Sequence, residues 1–136
     1  MKLWVLCLVA LTGHAQEWNT DLESAKREAA RNGRKVLLYF SAAERCTPCQ
    51  DLEQNVMSSV EFTTYAAKHF VLVKPVFDDT APMIEKAENL LIVEKYNKDG
   101  FFPWVVILDA SGKVINKVGQ YNNESPIQYL KRLESR

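Results

Sequence analysis

The chain has 136 residues, 47% of them hydrophobic and 25% charged, the balance of a soluble globular protein with one domain and a proper core. Basic and acidic residues number 17 each, so the formal net charge of zero generates no long-range field for nucleic acid or an acidic membrane. The basic cluster Lys26, Arg27, Arg31, Arg34 and Lys35 is interleaved with Glu23 and Glu28 and reads as a solvated helix face.

Residues 1–15, MKLWVLCLVALTGHA, carry Lys2, an apolar run over 3–11, and the small residues Gly13 and Ala15 ahead of a cleavage point. That pattern predicts a secretory signal peptide, with residues 16–136 as the domain and an exported, periplasmic or secreted, location. The run is well short of the roughly 18 apolar residues of a spanning helix, so no membrane insertion of the mature chain is expected. Loss of Lys2 takes the formal charge to −1.

Thr20 or Asp21 then caps a helix whose apolar side is Leu22, Ala25 and Ala29, and Gly33 supplies its left-handed stop. KVLLYF, Lys35–Phe40, is short and continuously apolar after its lysine, the habit of a strand buried on both faces. The stretch SAAERCTPCQDLE opens a second helical segment reaching Val56, which Ser58 or Ser59 restarts towards His69. FVLVKPVF, residues 70–77, reads as a second strand with Pro75 limiting its pairing. Asp78 and Asp79 belong to the loop that follows. Residues 82–96 place Ile84, Ala87, Leu91 and Lys95 or Tyr96 at helical spacing, with Pro82 in the first turn. FFPWVVILD is a strand after a proline, residues 110–112 turn, and KVINKVGQ returns as a hairpin. Ser125 and Pro126 start a last helix carrying Ile127, Leu130 and Leu133. The order predicts an α/β fold, a mixed sheet with helices on both faces, parallel crossovers first and a hairpin last.

Of three cysteines, Cys7 lies inside the apolar leader, so the exported chain keeps only the pair in Cys46-Thr47-Pro48-Cys49. Export puts that pair where disulfides persist. A purely structural bridge across so short a loop would stabilise by only about 2 kcal/mol. A closed zinc site needs four ligands, and the chain offers Cys46, Cys49 and the distant His69, which reads as a helix-end residue. Covalent haem needs histidine at position 50, where Gln50 stands. A binding module holding Cu(I) or a partner protein through the two thiols without turnover is the alternative to redox exchange, although Met57 and Met83 stand alone. Asn123-Glu124-Ser125 matches a glycosylation acceptor with Pro126 behind it and carries no weight here.

From about Glu17 to the C-terminus the chain resembles the thioredoxin superfamily, in particular its exported single-domain members with a CxxC motif. The carriers are the strand VLLYF, the Cys46-Thr47-Pro48-Cys49 motif opening a helix, the Phe102-Pro103 step before WVVILD, and the hairpin turn DASGKV. The resemblance implies the thioredoxin fold and a thiol-disulfide oxidoreductase, with a redox-active Cys46–Cys49 disulfide and no other cofactor or metal. The first cysteine, at a helix N-terminus where unpaired N–H groups favour an anion, would be the nucleophile; Cys49 would resolve the mixed disulfide. Arg45, Thr47 and Pro48 would tune the pair. By resemblance Pro103 is cis and faces the cysteines, with Phe102 and Trp104 as substrate-binding residues and Phe101 beside them. Where thioredoxins bury an acid on the central strand, this chain has Tyr39, so proton transfer falls to water, Glu44 or Lys74. Arg45 stands where thioredoxins carry tryptophan, and Gly100 is displaced from its usual place just before the proline. Protein thiols and disulfides, and a redox partner protein that supplies or accepts electrons, are the implied partners of a monomer.

Overall fold

The computed structural model describes residues 16–42, 45–77 and 80–135. The segment read as a signal peptide, Glu44, and Asp78 with Asp79 lie outside the described residues. Along the chain come β1 (Trp18–Asn19), α1 (Leu22–Asn32), β2 (Lys35–Phe40), α2 (Thr47–Leu52) running into a π-helical turn (Glu53–Met57), and α3 (Val60–His69). Then follow β3 (Phe70–Val73), α4 (Met83–Tyr96), β4 (Trp104–Leu108), β5 (Val114–Val118) and α5 (Pro126–Glu134).

Local chemistry sets most of these boundaries. The Asp21 carboxylate accepts the Glu23 N–H at 3.1 Å, and Gly33 closes α1 with φ 64°. Ser59 caps α3 through the Phe62 N–H. Ser125 and Gln128 form a reciprocal capping box at the start of α5, with Pro126 in its first turn. The sheet order is β1-β3-β2-β4-β5. The first three strands are parallel; β4 runs antiparallel to β2, and β5 antiparallel to β4.

Because side chains alternate along β2, Leu37 and Tyr39 enter one core while Val36, Leu38 and Phe40 enter the other. The first core takes Leu52 and Val56 from the α2 region, Phe62 from α3, and Tyr129 and Leu133 from α5. The second takes Leu22, Ala25 and Ala29 from α1 and Tyr96 from α4. Every β2 residue after Lys35 is fully buried, as a central strand under helices on both faces requires.

Five points of the sequence reading need correction. The second strand ends at Val73 rather than continuing to 77, because pairing stops at Lys74, whose N–H goes to the carbonyl of Asn19, and Pro75 has no N–H to offer. The two-residue β1 is too short to carry a period and went unread. On α4 the apolar positions that mark the helix are not its buried face: Ile84 and Leu91 are about 70% exposed, and Asn89 and Tyr96 are buried instead. On α5 Ile127 is exposed, and Tyr129 with Leu133 does the packing. Within the basic cluster, Arg34 is not simply solvated: it bonds Glu28 at 2.8 Å and the carbonyl of Phe70 at 3.2 Å, tying α1 to β3.

Candidate active site

Strand β2 ends and α2 begins across residues 41–46, so the cysteine motif sits at the C-terminal end of the central strand. Cys46 is the N-cap of α2, with extended backbone, and its Sγ accepts the Cys49 N–H at 3.2 Å. A helical offset of three brings the second cysteine onto the same face, and the two are joined by a disulfide with Cα atoms 5.2 Å apart. Their exposure differs in the direction that matters for exchange. Cys46 retains 7% and Cys49 none, so an incoming group meets Cys46 first. Arg45, Thr47 and Pro48 are exposed around the pair, and Pro48 occupies the first helical turn without costing a hydrogen bond.

The Phe102–Pro103 peptide is cis. Pro103 is buried, whereas Phe101 and Phe102 project, 56% and 41% exposed. Pro48, Phe101, Phe102, Pro103, Trp104, Gln120 and Tyr121 line a groove of about 450 Å³. A second hollow, of about 370 Å³, lies between Ser41, Ala42, Lys74, Pro75, Val76, Phe77 and Phe102. Phe102 therefore forms a wall common to both. The loop bearing these rings is held from behind: Asn97 is buried, its Nδ2 donates to the Phe101 carbonyl at 2.9 Å, and its Oδ1 accepts the Phe101 N–H at 3.0 Å. Gly100, at φ 69°, makes the turn that this clamp closes. The Trp104 indole N–H donates to the Tyr96 carbonyl at 3.0 Å, fixing the ring beside Phe101.

Beneath the motif, Tyr39 is fully buried. Burial pushes its hydroxyl far above the ordinary tyrosine range, and the negative charge of Glu53 adds to the rise. Lys74 Nζ lies 5.4 Å from the Tyr39 ring centre and 2.5 Å from Glu53 Oε1. Thus the structure brings Lys74 to the site, while Glu44 is outside the described residues. Sequence reasoning missed Glu53, Asn97, Gln120 and Tyr121. The i, i+4 spacing of Cys49 and Glu53 was a legible signal for the first; nothing local announces the others.

His69 stacks on Tyr65 at the end of α3, ring centres 4.2 Å apart, the helix-end place its sequence context suggests. Among the described residues no three histidine, cysteine or acidic side chains gather as a metal site.

Known proteins place this geometry. Thioredoxin-related protein DsbJ of Chlamydia pneumoniae is 24% identical over 110 residues, covering 79% of this chain and 31% of DsbJ. Disulfide bond reductase DsbH of the same organism is 25% identical over 105 residues, covering 76% of this chain and 62% of DsbH. The chain thus spans less than two thirds of either curated relative. A solved structure of a DsbH oxidoreductase superposes with a TM-score of 0.75 at 22% identity, over 88% of this chain and 85% of that one, and shares the thioredoxin fold. A family model described as thioredoxin-like matches residues 17–110, more than half the chain and all of the cysteine motif, the cis-proline and β4; the chain belongs to the thioredoxin-like family.

Proposed function

We propose that the chain is an exported thiol-disulfide oxidoreductase that exchanges disulfides with protein substrates through the Cys46–Cys49 couple, working as a reductase. The observation that carries this reading is the asymmetry of the pair: a disulfide at the head of α2 whose Cys49 is sealed while Cys46 keeps some exposure, with Pro48 of the same motif lining an aromatic groove. The names of the curated relatives, a disulfide bond reductase and a thioredoxin-related protein, support the chemistry, and the first of them supports the direction. Export rests on the leader-like residues 1–15 and on the chain keeping no cysteine beyond the pair once they are removed.

In the reductive direction the Cys46 thiolate attacks a substrate disulfide, forming a mixed disulfide and releasing one substrate thiolate. Cys49, one turn on, then attacks Cys46 Sγ; the second substrate thiolate leaves and the Cys46–Cys49 bond closes. N–H groups of the first helical turn favour the Cys46 thiolate, and the positive charge of Arg45 beside it acts in the same sense. Thr47 and Pro48 stiffen the loop. An extended substrate segment lies along Phe102, Pro103 and Trp104, with its apolar side chains in the groove. The oxidised pair is then recharged by a redox partner protein, and the chain works as a monomer.

Reduction of a protein disulfide by the domain under a dithiol donor tests this. Cys46→Ser is expected to abolish turnover, and Cys49→Ser to accumulate mixed disulfides resolved by non-reducing electrophoresis. Retained turnover in Cys46→Ser would sink the assignment. Equilibration with glutathione buffers tests direction: a potential near about −270 mV fits a reductase, and one near about −120 mV would make the chain a disulfide donor instead.

A further inference from the structure

Cleavage behind the small residues Gly13 and Ala15 makes Gln16 the first residue of the exported chain. A glutamine in that place has a reaction open to it that few other residues share. Its α-amine titrates just above neutral pH, so a share of it is an uncharged nucleophile. Its own side-chain Cδ, an amide carbon, lies where attack closes a five-membered ring, and holding both groups on one residue removes the entropy cost of bringing them together.

The structure singles out the same residue. Gln16 is half-buried ahead of β1, and its Nε2 is buried with no hydrogen-bond partner among the described residues. An amide nitrogen in that state loses its water and gains nothing in return. Gln16 lines a hollow of about 390 Å³ with Asn19, Thr63, Ala66, Phe70 and Leu72, and the Arg34 guanidinium already stands there beside Glu28. A terminal ammonium would bring a second cation to this hollow. The strand that follows has little to hold it: β1 pairs only Trp18 with Leu72 and Asn19 with Val73. Trp18 nevertheless packs on the core, its ring centre 5.8 Å from that of Tyr39 beneath the cysteine motif. Trimming of Gln16, Glu17 and Trp18 from a free N-terminus would take half of β1 and uncover Tyr39.

We propose that Gln16 is a modification site, closed after leader cleavage to a pyrrolidone lactam that blocks the N-terminus ahead of β1. This rests on the leader reading above. The α-amine nitrogen bonds to Cδ, the Cδ–Nε2 bond breaks, and Nε2 departs as ammonia with the proton that the amine gives up. The step needs no oxidant, reductant or co-reactant. The atom expelled is the buried nitrogen that lacks a partner, and the ring carries no charge into the hollow of Arg34. A lactam also leaves an aminopeptidase no primary amine to grip, so the short edge strand keeps its tryptophan.

Mass spectrometry of the full chain, expressed for export, isolated in its oxidised form and incubated at neutral pH, tests this. The intact mass, read before any digestion, is expected to be that of residues 16–136 less one ammonia. The fragment 16–26, released by trypsin at Lys26, should then resist an amine-acylating reagent. A chain that starts at Gln16 with its full mass and a reactive amine overturns the lactam and leaves the leader reading standing. A chain that keeps residues 1–15, or starts elsewhere, overturns the leader reading and the lactam with it. Gln16→Asn would need a four-membered ring, so this variant should keep its amine and be shortened by an aminopeptidase that leaves the parent intact. Loss of ammonia from that variant's N-terminus overturns ring closure at Gln16, and equal trimming of the two proteins, or none in either, overturns the protection of β1.

Discussion

Gly119→Ala should destabilise the domain through the wall of the groove. A Cβ at this position would stand 2.8 Å from Trp104 Cζ3 and 3.2 Å from Cε3, closer than carbon atoms pack. Trp104 cannot slide aside freely, since its indole N–H is bonded to the Tyr96 carbonyl at 3.0 Å and its ring rests against Phe101. Moving the ring gives up that bond, worth about 1 kcal/mol, and keeping it forces β4 and the segment after β5 apart, an overpacking cost of about 1–3 kcal/mol. We expect a net loss of about 2 kcal/mol, or about 8 °C in Tm at the scaling for a domain of this size. Urea unfolding of the oxidised protein followed by tryptophan fluorescence reads the loss as a lower midpoint with an unchanged slope. A variant within about 0.5 kcal/mol of the parent would refute the reasoning, because surface substitutions without a steric conflict fall in that interval.

Ser125→Ala removes the hydroxyl half of the α5 capping box, leaving the Gln128 N–H without its acceptor, and should cost about 1 kcal/mol by the same unfolding assay. Asn89→Ala should cost about 1–3 kcal/mol, because it strands the Val76 carbonyl that the buried amide holds at 2.7 Å. Ile84→Lys with Leu91→Lys, on the exposed face of the same helix, should change stability by less than about 0.5 kcal/mol; a larger loss would mean that this face is packed. Acidification supplies a fourth check. The Ser111 hydroxyl, then the backbone amides of Lys113 and Ser111, hold Asp109 below the usual carboxylate range. Burial tends to raise Glu124, but the amides of Glu124 and Asn122 together with Arg132 outweigh it, and its carboxyl is lowered as well. Both groups thus keep their charge to lower pH when folded than when unfolded. Their contribution is present above the ordinary carboxylate range and is lost as pH falls through the folded values. Thermal melts from pH 7 to pH 3 should show a smaller acid loss in Asp109→Asn with Glu124→Gln than in the parent. An equal loss would contradict the assignment.

The parts of the site that were legible in the sequence share a property: each is signalled within about one helical turn or one strand. The apolar run Lys35–Phe40, the Asp21 and Ser125 caps, the Gly33 stop and the offset of Cys46 from Cys49 are interactions between near neighbours. The cis-proline was reached by a different route, through resemblance in the Phe102-Pro103 step, since no periodicity marks it. What stayed hidden depends on contacts across the fold. The leucines of α4 announce a helix but not which side of it faces the sheet; Asn89 turns inward because a Val76 carbonyl needs a donor there. Asn97 gave no sign of being the clamp behind Phe101, as its role exists only once the loop has folded over it.

From its amino-acid order alone the chain determines the succession of helices and strands and a helix start that bears the cysteine pair, because hydrophobic period, caps and a short cysteine loop act over a few residues. Only the tertiary structure decided that Lys74 reaches Glu53 over the ring of Tyr39, and that Gln120 and Tyr121 close a groove against Pro48 and Pro103. The order β1-β3-β2-β4-β5 brings these distant segments to one end of the sheet, and pairing between strands far apart in sequence leaves no trace in any local window.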